Sequence, residues 1–182
     1  MQKKADYIII GAGVLGSSLA YYLTKKGRDV IVLERGEICD GVSSTTAALV
    51  LPSPKTPVVY NQLAWKGYER FLALEEELGA DIGLQITGST MLCRAPEKMA
   101  GMKATIEVNK ENGKTLQWLT PEEICEREPI LNPEAFCGGI YCAEGGNLNP
   151  FLLVNAYIQA AKRNGAQVHT FTEVRGFEVK NH

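Results

Sequence analysis

Three glycines near the start of the chain have the spacing to do chemistry together. Gly11, Gly13 and Gly16 form G-x-G-x-x-G, and Glu34 follows 23 residues after the first of them. Glycines so placed allow a tight turn off a strand, a close approach of bare backbone to a diphosphate, and tight packing of a helix on that strand. The phosphates would rest at the helix N-terminus, where unpaired N–H groups and the positive end of the dipole favour an anion. A carboxylate at roughly 20 residues' distance accepts hydrogen bonds from ribose hydroxyls and repels the 2′-phosphate of NADP. Alone, the glycines are weak evidence, and Glu34 alone reads as an exposed charge at a strand end. The elements around them decide between these readings.

Residues 5–10 are a short isoleucine-rich run suited to a buried parallel strand. Residues 14–26 then carry Leu15, Leu19, Tyr22 and Leu23 at helical spacing, with Lys25 and Lys26 in the last turn and Gly27 just beyond. Residues 30–33 form a second strand that ends in Glu34. The glycines thus follow a strand and open a helix, and the acid closes the next strand, as in a dinucleotide-binding βαβ unit. NADP is disfavoured by that acid, while NAD and FAD both remain open.

Residues 36–57 lack periodicity and hold Ser43, Ser44, Thr45 and Thr46, which predicts a long functional loop with one helical turn near Ala47. Residues 60–78 read as one amphipathic helix with Leu63, Ala64, Phe71, Leu74 and Leu78 inward, closed by Gly79. Residues 81–94 alternate like two strands about Thr87-Gly88. Residues 96–112 read as a helix ended by Gly113. Thr120-Pro121-Glu122-Glu123 is a capping box that starts a helix stopped at Glu128-Pro129. Residues 138–142 read as a strand, 150–164 as a helix, and 167–171 and 174–180 as closing strands.

Composition excludes several functions. The net charge of −2 comes from 19 basic and 21 acidic residues scattered along the chain, so no nucleic-acid partner is expected. The five cysteines show no C-x-x-C spacing, and the two histidines lie far from the closest pair, so no metal site is expected. Reduced thiols in the cytoplasm are the plain reading. Lys3, Lys4 and the apolar run after them could pass for a secretory signal, but Asp6 and the glycines interrupt it. No run reaches the ~18 apolar residues of a membrane span.

Beyond Glu34 the sequence turns away from the further βα units of a nicotinamide dehydrogenase and resembles a known family, the D-amino-acid-oxidase-like FAD-dependent amine oxidoreductases. Glycine oxidase, sarcosine oxidase and proline dehydrogenase β subunits belong to it. The resemblance runs through residues 6–13, Ala20-Tyr21-Tyr22-Leu23, Trp118-Leu119-Thr120-Pro121-Glu122-Glu123, Glu126-Arg127-Glu128-Pro129 and Gly146-Asn147-Leu148-Asn149-Pro150. It implies an α/β fold: a Rossmann-type FAD-binding domain, residues 1–81 and 147–182, with part of a β-rich substrate domain, residues 82–146.

By this resemblance Val14 and Leu15 lie beside the pyrophosphate with Gly11, Gly13 and Gly16. Glu34 and Arg35 contact the adenosine ribose, and Ser43 and Ser44 reach the phosphates. Ala48, Leu49 and Val50 run beside the flavin, although the family often has glycine where Leu49 stands. Gln85, Thr90 and Met91 could line the substrate space, core packing being the plainer role for each.

The family's enzymes are about twice as long, and the residues that bind the substrate carboxylate lie beyond His182. The chain is therefore expected to be an N-terminal fragment, inactive alone, and no catalytic residue is assigned. The implied activity is oxidation of the C–N bond of a small-molecule amino acid or secondary amine by hydride transfer to flavin, with oxygen or a partner subunit as electron acceptor. The alternatives are an NAD-dependent dehydrogenase, and a nucleotide-binding or interaction module without activity of its own.

Overall fold

A computed structural model of the chain describes residues 4–52, 58–111 and 116–179. In chain order it contains β1 (Tyr7–Ile10), α1 (Val14–Lys25), β2 (Val30–Leu33), β3 (Leu49–Val50), α2 (Val58–Leu72), α3 (Leu74–Leu78) and β4 (Ser89–Leu92). There follow α4 (Met99–Glu111), β5 (Leu116–Leu119), α5 (Pro121–Arg127), β6 (Gly139–Cys142), β7 (Gly146–Asn147), α6 (Pro150–Arg163) and β8 (Gln167–His169). They divide between two units, Met1–Ala48 with Ala73–Leu84 and Leu148–His182, and Leu49–Leu72 with Gln85–Asn147.

The first unit is built on a parallel sheet in the order β1-β2-β8. Ile9 sits opposite Val32, and Val32 opposite Val168. The right-handed β1-α1-β2 crossover expected of parallel strands places the glycine turn at the carboxyl end of β1. Helix α6 is buried over much of its length through Leu153, Val154, Tyr157, Ile158 and Ala161. Its start is fixed by Pro150 in the first turn and by Asn149, whose side-chain oxygen accepts from the N–H groups of Phe151 and Leu152 at 3.0 and 3.2 Å. Tyr157 packs its ring at 5.8 Å from that of Tyr21 on α1.

One expectation for this unit fails, that of a buried β1, and α1 buries residues other than its largest aliphatic ones. The buried face of α1 consists of Ser17, Ala20, Tyr21 and Thr24, while Leu15 is 83% and Leu19 50% exposed. Ser17, Ala20 and Thr24 are small inward residues, and the larger Tyr21 packs against Tyr157 of α6. Strand β1 is not a buried strand: Ile9 is covered, but Ile8 and Ile10 are 63% and 65% exposed. Among the described residues it lies at one edge of the sheet, with β2 as its neighbour.

In the second unit, β6 pairs antiparallel with both β4 and β5, and β3 pairs with β7. Leu119, Ile124 and Phe136 form a core beneath α5. The capping box is present: Thr120 N–H donates to Glu123 Oε2 at 2.8 Å, and Glu123 N–H donates to the Thr120 hydroxyl at 3.3 Å.

Several boundaries differ from the sequence reading. The single helix over 60–78 is two, α2 and α3, with Ala73 between them, and Leu63 faces outward at 66% exposure. Asn61, Trp65 and Tyr68 are buried on α2 instead. The loop's helical turn is a 3-10 turn at Val42–Thr45, ahead of Ala47. Of the two strands expected over 81–94 only β4 forms, and Gln85 makes an isolated bridge to Asn147. Strands β3, β5 and β7 were not foreseen. The helix over 96–112 divides into a 3-10 turn at Pro96–Lys98 and α4, with Asn112 and Gly113 outside the described residues. The strand expected over 167–171 shortens to β8, residues 174–179 form no strand, Phe177 and Val179 being exposed, and Lys180 lies outside the described residues. An apolar alternation makes no strand without a ladder to join.

Candidate functional site

At the end of β1 the chain turns through Gly11, whose φ of +101° lies where side chains are disfavoured. Its N–H donates to the Leu33 carbonyl at 2.8 Å, which ties the turn to the end of β2. Gly13 is the N-cap of α1, so no side chain caps this helix, and its first turn holds no acidic residue. The positive end of α1 is therefore left for an anion. A Cβ at Gly16 would overlap the Gly11 carbonyl oxygen and meet Ile9 Cγ2 at 3.2 Å.

One oxygen already stands at that helix end. The Val14 N–H donates to Ser43 Oγ at 3.0 Å, and a Cβ at Gly13 would meet the same oxygen at 3.0 Å. The 3-10 turn Val42–Thr45 brings Ser43 here from 29 residues away. Ser44, by contrast, donates its hydroxyl to the Gly41 carbonyl within its own loop at 2.7 Å.

Glu34 closes β2. Its Oε2 accepts from the Ala12 N–H at 2.7 Å and its Oε1 from the Gly36 N–H at 2.9 Å. Burial works against its charge, but the amides of Ala12, Gly36 and Arg35, then the Arg35 guanidinium, outweigh it and hold the carboxyl below its usual value. An ionised carboxylate offers about four lone-pair sites, so hydrogen bonds from hydroxyls can add to the two it already accepts.

Gly11, Gly13, Val14, Leu15, Glu34 and Ser43 line one groove of about 420 Å³, joined by Gly16 and Arg35. That volume falls within the range of cofactor clefts. Gly36, Asp40, Gly41 and Val42 also line it and were not foreseen as site residues. The signal for them was the pair of glycines enclosing the loop after Glu34. Asp40 Oδ2 lies 3.1 Å from where a Gly36 Cβ would be. It adds a second acid beside Glu34 on the groove wall, which disfavours an anion at that end.

The remaining expected contacts lie elsewhere. Ala48 adopts a left-handed φ of +57°, and its carbonyl accepts from the Leu148 N–H at 3.1 Å. Leu49 and Val50 form β3 in the second unit, Leu49 exposed and Val50 buried. In that unit Gln85 and Met91 are exposed and Thr90 is half-buried, so none of the three takes a core position. Among the described residues no His/Cys/Asp/Glu group could hold a metal ion, and no helix is long and apolar enough to cross a membrane.

A helix N-terminus without an acidic cap, met only by the Ser43 hydroxyl and standing beside a charged carboxylate, fits a dinucleotide. Comparison with known proteins identifies which. The family described as FAD dependent oxidoreductase matches residues 6–182. Glycine oxidase of Geobacillus kaustophilus (strain HTA426) is 31% identical, over 100% of this chain and 49% of that protein. The crystal structure of glycine oxidase from Geobacillus kaustophilus superposes with a TM-score of 0.83 over 95% of this chain and 48% of that one. L-proline dehydrogenase from P. horikoshii, 26% identical, gives a TM-score of 0.89 over 100% of this chain and 48% of that one. The mitochondrial pyruvate dehydrogenase phosphatase regulatory subunit of Mus musculus is 28% identical, over 97% of this chain and 20% of that protein. The chain thus spans about half the length of the first two relatives and about a fifth of the third. It belongs to the DAO family of FAD-dependent oxidoreductases, amino-acid and amine oxidase-like flavoproteins of α/β Rossmann type whose cofactor is FAD.

Proposed function

We propose that this chain is the N-terminal half of a flavoenzyme that oxidises the C–N bond of an amino acid or secondary amine. The observation that carries the reading is the convergence of the α1 N-terminus and the Glu34 carboxylate on one groove. Residues 1–81 and 147–182 supply the FAD domain in this reading, and residues 82–146 part of the substrate domain. Gly11, Gly13, Val14, Leu15 and Gly16 receive the diphosphate with Ser43 and Ser44. Glu34 and Arg35 hold the ribose, while Ala48, Leu49 and Val50 run beside the flavin. FAD supplies the two-electron acceptor for a hydride leaving the substrate carbon, and the protein orients it and tunes its surroundings.

The substrate class is argued from the names of the relatives, a glycine oxidase and a proline dehydrogenase, both of which act on an amino acid. The residues that grip the substrate are assigned to a second half not contained in these 182 residues, so the isolated chain is inactive in this reading. Electrons then pass to oxygen or to a partner subunit. A cytoplasmic setting suits the five thiols. A second reading, a binding module without activity, is favoured by the similarity to a protein named as a regulatory subunit.

Absorption of the purified chain after incubation with FAD and gel filtration tests the cofactor assignment. Bands near about 370 and 450 nm are expected, together with quenched flavin fluorescence. A colourless protein that leaves FAD fluorescence unchanged would mean that a second half is needed to retain the cofactor, whereas a colourless protein that binds NAD would overturn the assignment. Joining the chain to its natural continuation and assaying glycine, sarcosine and proline then separates enzyme from module.

A further inference from the structure

The ladder between β4 and β6 does not stop cleanly at its last pair, Leu92 opposite Gly139. One step further the Cys93 N–H donates to the Gly138 carbonyl at 2.8 Å, and the Cys137 N–H donates to the Cys93 carbonyl at 2.8 Å. Two residues, Cys137 and Gly138, therefore oppose one, Cys93, which is a β-bulge. Gly138 takes a φ of +132° to make it, and a Cβ there would press on the Trp118 ring. Bulges re-aim side chains, and this one turns the Cys137 thiol onto Cys93.

The Cys137 Sγ donates to the Cys93 carbonyl at 3.2 Å, while the Cys93 Sγ donates to Ala95 O at 3.3 Å. Burial pushes the Cys137 thiol up, and contact with the Cys93 thiol pushes the same way. Cys93 is buried and Cys137 half-exposed. The 2.8 Å bond from the Cys137 N–H to the Cys93 carbonyl keeps the two backbones adjacent, and a disulfide bridges Cα atoms about 4.4–6.8 Å apart. Forming it requires both thiols to leave the carbonyls they now face. All five thiols donate to oxygens, but only Cys137 donates to an oxygen of another cysteine: Cys39 meets the Pro150 carbonyl, Cys125 the Leu131 carbonyl, and Cys142 the Glu144 carboxylate.

We propose that Cys93 and Cys137 are a reversible dithiol–disulfide site that a hydroperoxide oxidises. Cys137, the half-exposed partner, gives up its proton and attacks one oxygen of hydrogen peroxide as the thiolate; the O–O bond breaks, the departing hydroxide takes up a proton and leaves as water, and a sulfenic acid remains. The Cys93 sulfur then attacks that sulfur, the S–O bond breaks, the S–S bond forms and a second water leaves. Two thiols lose two electrons and two protons, and one hydrogen peroxide becomes two waters. A small-molecule thiol reductant reverses the reaction by exchange. The bridge would lock the exit of β4 to the bulge that leads into β6. This inference does not depend on flavin binding.

The test is peptide mapping by mass spectrometry of the native 182-residue chain after mild hydrogen peroxide, with and without later dithiothreitol. The expected product is one cross-linked peptide pair holding Cys93 and Cys137, about 2 Da below the reduced pair, which dithiothreitol restores. In Cys93→Ser, Cys137 should instead accumulate a sulfenic acid that dimedone traps. In Cys137→Ser, Cys93 should remain a thiol. A native chain whose Cys137 advances to sulfinic acid with no cross-link overturns the proposal, as does a cross-link through Cys39, Cys125 or Cys142. The wild-type mapping decides even where a serine variant fails to fold.

Discussion

Glu34 carries two duties on one carboxylate: it pins the glycine turn through Ala12 and its own loop through Gly36, and it faces the groove. The motif made the second duty legible in the sequence. The first was not, because it depends on amides in a turn whose path only the fold defines. Ser43 is a similar case: its place in a Ser/Thr run suggested phosphate contact, but nothing local marked it, rather than Ser44, as the residue that meets Val14. Replacing Glu34 with Gln should keep the shape and lose the charge, leaving one of the two amides facing an NH₂ group. A cost of about 1–3 kcal/mol is expected, since hydrogen bonds to charged groups are the stronger ones. The sign of its pH dependence follows from the lowered folded value. The stabilisation is complete above the ordinary carboxyl value of 4.5 and is lost as pH falls through the lower folded one. Urea unfolding of both proteins from neutral to acid pH checks this. The gap between them should be widest near neutrality and should close only well into the acid range.

Helices announced themselves through their ends. Thr120-Pro121 caps α5 as read, Pro150 opens α6 behind an Asn149 cap that the reading did not name, and Gly79 and Gly165 take left-handed or otherwise positive φ where each helix closes. Capping is local chemistry within four residues, so a sequence displays it. The short strands were hidden for the opposite reason. Strand β3 is two residues long and exists because Asn147 and Gly146 lie across from it, nearly a hundred residues later. Strand β5, Leu116–Leu119, lies just ahead of the capping box that drew the reading, and its identity comes from pairing with β6. Helix α6 also offers a clean measurement. Asn149→Ala removes the oxygen that two N–H groups share, at a cost of about 0.5–2 kcal/mol. Since α6 is among the most buried elements of the first unit, thermal unfolding should report the whole loss. An unchanged midpoint would mean that water replaces the cap.

At the scale of the whole molecule, β1 is the place where composition and structure disagree. A run of isoleucines in a parallel strand predicts cover on both faces, because crossover helices normally supply it. Here Ile9 faces inward, whereas Ile8 and Ile10 are largely exposed. Among the described residues no strand pairs with the far side of β1. An unpaired, apolar sheet edge is also a template for association. At micromolar concentrations the isolated chain should therefore self-associate through this edge, and Ile8→Thr with Ile10→Thr should weaken that association. Each isoleucine contributes about 1–2 kcal/mol when covered, so the pair should shift the association constant by roughly tenfold or more. Light scattering across a dilution series measures it directly. Because both side chains are already in water in the monomer, its unfolding temperature should hardly move, and a large fall in that temperature would show instead that the two isoleucines support the fold from within.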